Sequence, residues 1–246
     1  LNALHLAAAS LDVRATGTIA TGGSDLTADL AFGDLSVLGG PYGGSLTGRA
    51  RLSGTPARAT VTLDARGNGL AMGVAEVDNL LKGEATILAE ADIAGNTADL
   101  RKLAINAASL DAVATGRIDP KGHDLQARLG FRDLRALGGG YRGSLTADAQ
   151  FRGTPRQGGL TVSANGRGLA IGQAEADRLL AGDTRLAADL TLRDGLVKIN
   201  TASLANPQLR ADLRGTIEGA NRRLTVDAAI TNLATVLPQF PGRLTL

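Results

Sequence analysis

Apolar and polar residues alternate along most of this chain with a period of two. Between residues 26 and 32, Leu26, Leu30 and Phe32 fall on one parity, and Thr27 falls on the other. This period is typical of a β-strand that has one face covered and the other in water. Gly-rich segments such as residues 22–24 separate the alternating runs and predict hairpin turns, so we expect mainly antiparallel neighbours.

A unit of 99 residues repeats along the chain. Residues 8–12, Ala-Ala-Ser-Leu-Asp, return at residues 107–111, and Gly-Thr-Pro at residues 54–56 returns at 153–155. The alternation keeps its phase in both copies. Because a slip of one residue would invert every side chain, this agreement indicates strands in a fixed register.

The repeat predicts the organisation of the whole chain. We expect one continuous repetitive β-structure over residues 1–246, with a first repeat block at 1–106, a second at 107–205 and a partial third at 206–246. Both ends of the sequence fall inside a repeat unit, and we therefore expect a longer parent protein.

Two equivalent segments break the alternation. Residues 75–81 and 174–180 are followed by Gly83 and Gly182, which predicts one short helix in each full repeat. We expect these helices to cap or cross the apolar face. The connection after Ile93 is expected to be longer than the tight turn at residues 193–195.

The composition indicates a thin aliphatic surface rather than a bulky core. Of 246 residues, 43% are hydrophobic, but four are Phe, two are Tyr and none is Trp, against 33 Gly. The 26 basic and 24 acidic residues give a net charge of +2, and Lys and Arg do not cluster with aromatic residues, which argues against nucleic-acid binding. Cysteine is absent, and no apolar run reaches the roughly 18 residues of a membrane-spanning helix.

No catalytic or metal-binding pattern emerges from the sequence. The Gly-rich segment at residues 38–45 lacks the Lys and the following helix of a phosphate-binding loop. His5 and His123 have no partners at ligand spacing, and we expect both to be exposed turn or edge residues. Asp78 and Asp177 recur between repeats, and a solvated charge is the expectation for each. We therefore expect no catalytic residue, no metal and no cofactor, and we do not expect an enzyme.

The apolar face itself is the candidate functional site. Two interpretations remain open: two sheets that bury each other in an ordinary sandwich, or a sheet whose apolar groove stays open to a lipid chain. Interleaved Ala and Gly favour the groove, since they leave space that aromatic residues would fill. The predicted lining residues share one parity within their strands: Leu26, Leu30, Phe32, Leu46, Leu52, Val61, Leu63, Ile87, Ile93, Leu125, Leu129, Phe131, Leu145, Phe151, Leu160, Val162, Leu186, Leu190, Leu192, Leu213, Ile217, Leu224 and Val226.

A set of short phrases resembles the TamB family (translocation and assembly module) of the AsmA-like superfamily of bridge-like lipid transfer proteins. Each phrase is degenerate, but together they extend over the whole chain. They are Asp-Leu at residues 133–134 leading to Gly-Ser-Leu at 143–145, Gly-Thr-Pro at 153–155, Gly-Leu-Ala-Ile-Gly at 168–172, Ala-Asp-Arg-Leu-Leu-Ala-Gly at 176–182, and the alternating strand 209–217.

The resemblance implies a fold, a location and a function. It implies a β-taco, in which a long curved and mostly antiparallel sheet encloses an open apolar groove. Proteins of this family are anchored in the inner membrane of Gram-negative bacteria, span the periplasm and support outer-membrane assembly. The implied cargo is phospholipid, held by its acyl chains, and the implied partner is the outer-membrane barrel protein TamA. A structural or adhesive β-repeat scaffold with a closed core and no lipid is the alternative.

Overall fold

The polypeptide folds almost entirely into β-strands that pair with their neighbours in the sequence. The computed structural model describes residues 3–20, 22–55, 57–235, 239 and 242–245. In this part of the chain, the strands of residues 1–120 and those of residues 121–246 are each ordered along their sheet as in the sequence, and the described pairings are antiparallel. The predicted all-β class, the antiparallel sheet and the short helix in each full repeat are confirmed.

The elements have the following bounds in the described part of the chain. The strands are β1 (Leu4–Ala8), β2 (Leu11–Thr18), β3 (Ser24–Phe32), β4 (Gly43–Thr55), β5 (Arg58–Ala71), β6 (Glu84–Ala94), β7 (Thr97–Ala107), β8 (Leu110–Ile118), β9 (His123–Phe131), β10 (Arg142–Gly153), β11 (Gln157–Ala170), β12 (Asp183–Arg193), β13 (Leu196–Ala205), β14 (Leu209–Glu218), β15 (Asn221–Ile230) and β16 (Leu244–Thr245). The α-helices are α1 (Ala75–Leu80) and α2 (Ala174–Leu179), and 3₁₀ helices cover Leu35–Leu38, Leu134–Leu137 and Leu233–Thr235.

The chain divides into two units, Leu1–Pro120 and Lys121–Leu246. Corresponding strands of the two units pair in corresponding registers. In the first unit Leu26 of β3 is opposite Leu52 of β4, and in the second unit Leu125 of β9 is opposite Phe151 of β10. The register that the phase of the repeat predicts is therefore present in each unit.

The longer connections of each unit lie on one border of its sheet. Residues 33–42 join β3 to β4, and residues 72–83, with α1, join β5 to β6. Because successive strands run in opposite directions, both connections leave the sheet on the same side, which we call the helical border. The opposite border has short turns, such as Gly95-Asn96 between β6 and β7.

Recurring aspartates hold the connections at the helical border. The Asp78 carboxylate accepts a hydrogen bond from the Met72 backbone N–H at 2.6 Å, and Asp177 accepts one from Ile171 at 2.7 Å. Asp34 likewise accepts from the Ser36 N–H at 2.9 Å, at the start of a 3₁₀ helix. The expectation that Asp78 and Asp177 are solvated charges omits this role, since each also satisfies a backbone donor that its loop would otherwise leave free.

The helices cap the apolar face at this border. In the first unit Leu80 and Leu81 are buried, and a Cβ added to Gly67 would lie 2.5 Å from the Leu70 side chain that covers it. In the second unit the Thr184 hydroxyl, on the apolar face, donates to the Leu180 carbonyl oxygen at 3.5 Å. Large apolar side chains are thus fully covered chiefly at the helical end of the strands.

A β-bulge recurs in the two units. Arg101 of β7 and Asn200 of β13 are 99 residues apart, and each is skipped in the pairing with the preceding strand. Arg101 forms ion pairs with Glu90 and Asp92 of β6. The predicted long connection after Ile93 is wrong, because the chain turns at once through Gly95 and the bulge, rather than a loop, interrupts the alternation.

We expect the Asp78→Ala substitution to destabilise the first unit by about 1 kcal/mol, because the Met72 N–H loses its charged acceptor. The matched control is Glu76→Ala on the same helix, because the Glu76 side chain makes no hydrogen bond or ion pair with the described residues. Urea unfolding followed by circular dichroism measures both. Equal stability of the two variants would contradict the capping role.

Candidate functional site: the apolar face of the sheet

The predicted lining residues share one face within each unit. Directly opposite residues of antiparallel strands point to the same side. In the first unit Leu26, Leu52 and Val61 are opposite one another in turn, as are Phe32 and Leu46. In the second unit Phe151, Leu160 and Leu190 form such a row, and the remaining lining residues of that unit lie on the same side.

These lining residues are only partly covered. None is fully buried, most are half-buried, and Ile93, Leu224 and Val226 are 39%, 45% and 56% exposed. The central leucines of a closed sandwich would be buried between two sheets about 10 Å apart. Within each unit, the residues that the structure describes therefore leave the apolar face without a covering layer.

A row in which alanine predominates runs across the strands in the middle of this face, and we call it the furrow. In the first unit the row is Ala15, Ala28, Ala50, Leu63, Ala89, Leu103 and Ala114, so that two leucines interrupt it. Leu26 and Leu52 flank it on one side and Leu30 and Ile87 on the other, whereas the flanking residues at other strands are small, as at Gly48, Ala65 and Ala91. Seven strands at about 4.8 Å spacing give this furrow a length of about 29 Å. The second unit repeats the arrangement through Ala127, Ala149, Val162 and Ala188.

Several lining residues are missing from the sequence prediction. Leu103 and Ile105 of β7 and Ile199 and Leu204 of β13 lie on the apolar face, opposite Ala89, Ile87, Leu190 and Leu186. Both strands contain the bulge, which shifts the parity of the alternation within the strand. The matching hydrophobicity of the two copies is the signal that could have identified them.

The opposite face of each unit is polar and carries cross-strand ion pairs. In the first unit Arg49 pairs with Asp29 at 2.8 Å and Arg51 with Asp25 at 2.7 Å. A shallow depression of about 900 Å³ lies on this face, with Asp29, Arg49 and Arg51 in its lining. Because these charges neutralise one another, the face is suited to solvent rather than to an ion of one sign.

Hydrogen bonds hold some carboxyl groups of the first unit in the ionised form. The two hydrogen bonds from Arg51 lower the pKa of Asp25 below its usual value. The Thr60 hydroxyl, at 2.7 Å, and then Arg101 lower the pKa of Asp92. These groups are therefore acceptors at neutral pH.

The histidines and the acidic side chains are the residues of this chain that could bind a metal. His5 is exposed on β1, as expected for an edge residue, and its Nε2 is 3.1 Å from the Asp12 carboxylate. The expectation for His123 is wrong, because this residue begins β9, is half-buried and has its ring centroid 6.4 Å from that of Phe151. Among the described residues, no three His, Cys, Asp or Glu side chains are grouped as metal ligands.

No protein-family model matches this chain, and neither a characterised protein nor a solved structure is significantly similar to it. Within the described residues, no helix has both the length and the apolar character needed to cross a membrane.

We expect the fold to lose stability in acid as Asp25 and Asp92 become protonated. Their pKa values are lower in the folded chain than in the unfolded chain, where Asp titrates near pH 3.9. Both groups therefore stabilise the fold above about pH 4, and this contribution is lost as the pH falls through their folded-state pKa values.

The measurement is the urea unfolding free energy at several pH values between about 2 and 6. The D25N/D92N variant should lose less stability than the wild type over this range. Parallel curves for the two proteins would show that these carboxylates do not contribute.

Proposed function

We propose that the apolar face binds the acyl chains of phospholipids and lets them slide from strand to strand. The observation that carries this proposal is the partial exposure of the lining residues, which a closed core would bury. The half-exposed aliphatic side chains leave apolar surface in contact with water, and covering this surface with an acyl chain lowers the free energy. Burial contributes about 0.8 kcal/mol of binding free energy per methylene, so an acyl chain that is only partly covered still binds favourably.

The furrow, in which alanine predominates, supports a path for an acyl chain across the strands. Ala28, Ala50 and Ala89 leave room in the middle of the face, and the larger residues beside them form walls. Contacts with aliphatic walls are non-directional, and within each unit neighbouring strands present similar aliphatic side chains. A bound chain therefore meets a series of sites of similar affinity, which is the condition for low barriers to sliding.

The cellular setting of the proposal comes from the resemblance to the TamB family. We place the chain in the periplasm, as part of a protein that is anchored in the inner membrane, conducts phospholipid toward the outer membrane and works with TamA. The alternative is a structural or adhesive β-repeat scaffold with a closed core, in which no lipid is bound.

Mass spectrometry of lipids extracted from the purified chain separates the two functions. Stoichiometric acyl lipid, removed by washing with an apolar resin and restored from vesicles, supports lipid binding. A protein that carries no lipid and takes up none from vesicles contradicts the proposal and favours the scaffold.

We expect L129R/L190R to lose lipid while keeping the fold. Both side chains are only half-buried, so Arg can extend its charge into water along its stem, whereas in a closed core it would be buried without a partner. The loss of about 1 kcal/mol of apolar burial at each site should lower the melting temperature by roughly 4–8 °C. Lipid affinity should fall by about tenfold or more, because the charge stands beside the acyl path.

The matched control is Q126R/T161R, which adds the same charges to the polar face of β9 and β11. It should retain lipid and the wild-type melting temperature. If L129R/L190R unfolds, the two leucines belong to a closed core. A folded L129R/L190R with normal lipid content also contradicts the proposed site.

We expect A89F/A188F to obstruct the furrow without destabilising the sheet. The two alanines occupy equivalent places in β6 and β12, and Phe there would cover apolar neighbours that are now half-exposed. The affinity for a fluorescent phospholipid should fall by about tenfold, since several methylene contacts are lost. The control T62F/T161F places the same rings on the polar face, and equal affinities in both variants would contradict a path through the alanine row.

A further inference from the structure

The first long hairpin of each unit carries the same apolar residues but opposite charges. In the hairpin β3–β4, Asp29 is opposite Arg49, and the Arg49 Nε donates to the Asp29 Oδ1 at 2.8 Å. In the hairpin β9–β10 the equivalent positions hold Arg128 and Asp148, and the Arg128 Nε donates to the Asp148 Oδ1 at 2.8 Å. Both repeats thus have an ion pair of the same geometry at this place, but the acidic and the basic residue have exchanged strands.

The apolar face of these hairpins cannot distinguish one repeat from the other. Leu26, Ala28, Leu30 and Phe32 of β3 correspond to Leu125, Ala127, Leu129 and Phe131 of β9, and the partner strands β4 and β10 are nearly as similar. If burial of the apolar face were the only factor that selects a partner strand, β3 could pair with β10 and β9 with β4. Tandem repeats with interchangeable strands are prone to such misassembly, within one chain or between two copies.

The reversed pair penalises this exchange. With β10 in the place of β4, Asp148 would be opposite Asp29 on one side and opposite Asp64 of β5 on the other. With β4 in the place of β10, Arg49 would be opposite Arg128. Like charges directly opposite each other destabilise a strand pair, whereas the native pairs attract.

The other pair of the first hairpin does not discriminate between partners. Asp25 accepts hydrogen bonds from Arg51, and Asp124 of the second unit accepts them from Arg152 and Gln150. After an exchange of strands, Asp25 would still find Arg152 and Asp124 would still find Arg51. The discrimination therefore rests on positions 29, 49, 128 and 148.

We propose that the reversal of charge between the Asp29–Arg49 and Arg128–Asp148 pairs directs each strand to its partner in its own repeat. An exposed ion pair adds little to the stability of the native sheet. The placement of the acidic and basic residues nevertheless favours the native assembly over the exchanged one, although both bury the same apolar face. This role does not depend on what the face binds.

The test reverses the second pair with R128D/D148R. The native hairpin then keeps an attractive pair, and on the other side of β10 position 148 is opposite the neutral Ser163. We expect a melting temperature within about 2 °C of the wild type, since exposed pairs contribute little. The penalty on exchange is removed, because Arg at position 148 would fit between Asp29 and Asp64.

Cross-linking reports the exchange directly, because the chain has no cysteine of its own. Thr27 is opposite Arg51 in the native hairpin, so it would be opposite Gln150 in the exchanged one. During refolding at low salt, disulfide formation in T27C/Q150C should rise roughly fivefold to tenfold when R128D/D148R is added. The control T16C/T27C, whose residues are opposite in the native sheet, should cross-link equally in both backgrounds.

Two further measurements complete the test. Salt at about 1 M, where charges are screened within about 3 Å, should raise the T27C/Q150C cross-link in the wild-type background but not in R128D/D148R. The neutral variant R128N/D148N should give an intermediate amount. Equal cross-linking at low salt in the wild-type and reversed backgrounds would overturn the proposal, as would a wild-type yield that does not respond to salt.

Discussion

The antiparallel backbone ladder, held in one register, is the constraint on which this structure depends. The described residues form no second layer over the apolar face of either unit, so each strand is stabilised mainly by the strands beside it. In such an arrangement stability is close to a sum of nearest-neighbour terms. The register decides which side chains share a face, and a slip of one residue would exchange the apolar and polar faces of a strand.

Because each strand depends on its neighbours, the two faces of the sheet have different roles. The apolar face has aliphatic rows that cover one another only in part, so it supplies stability and also leaves surface for a ligand. The polar face has cross-strand pairs such as Asp29–Arg49, which add little energy each but favour one partner and one register. Fully buried large side chains such as Leu80 and Leu81 gather at the helical border, where α1 closes the end of the face.

The sequence predicts the regular strands and fails where a local irregularity resets the pattern. The face of Leu26, Leu52 and Val61 follows from alternation, because the period of two is regular around these residues and the register shift of β4 lies at its start, between Gly43 and Ser45. Leu103 and Ile105 escape prediction because the bulge at Arg101 shifts the parity inside β7. The role of Asp78 could not be predicted either, since its acceptor geometry exists only once the loop from Met72 has closed. The similarity of the two repeats was the more reliable guide, because it does not depend on the local period.

The difference between the two borders has a consequence for any amphiphile that occupies the proposed groove. A helix closes the apolar face at the helical border of each unit, while the opposite border has only short turns such as Gly95-Asn96. A bulky polar end would be excluded from the first border and free to leave at the second. The molecules bound to one unit would therefore all face the same way. Steric closure of one flank would impose orientational order on the cargo.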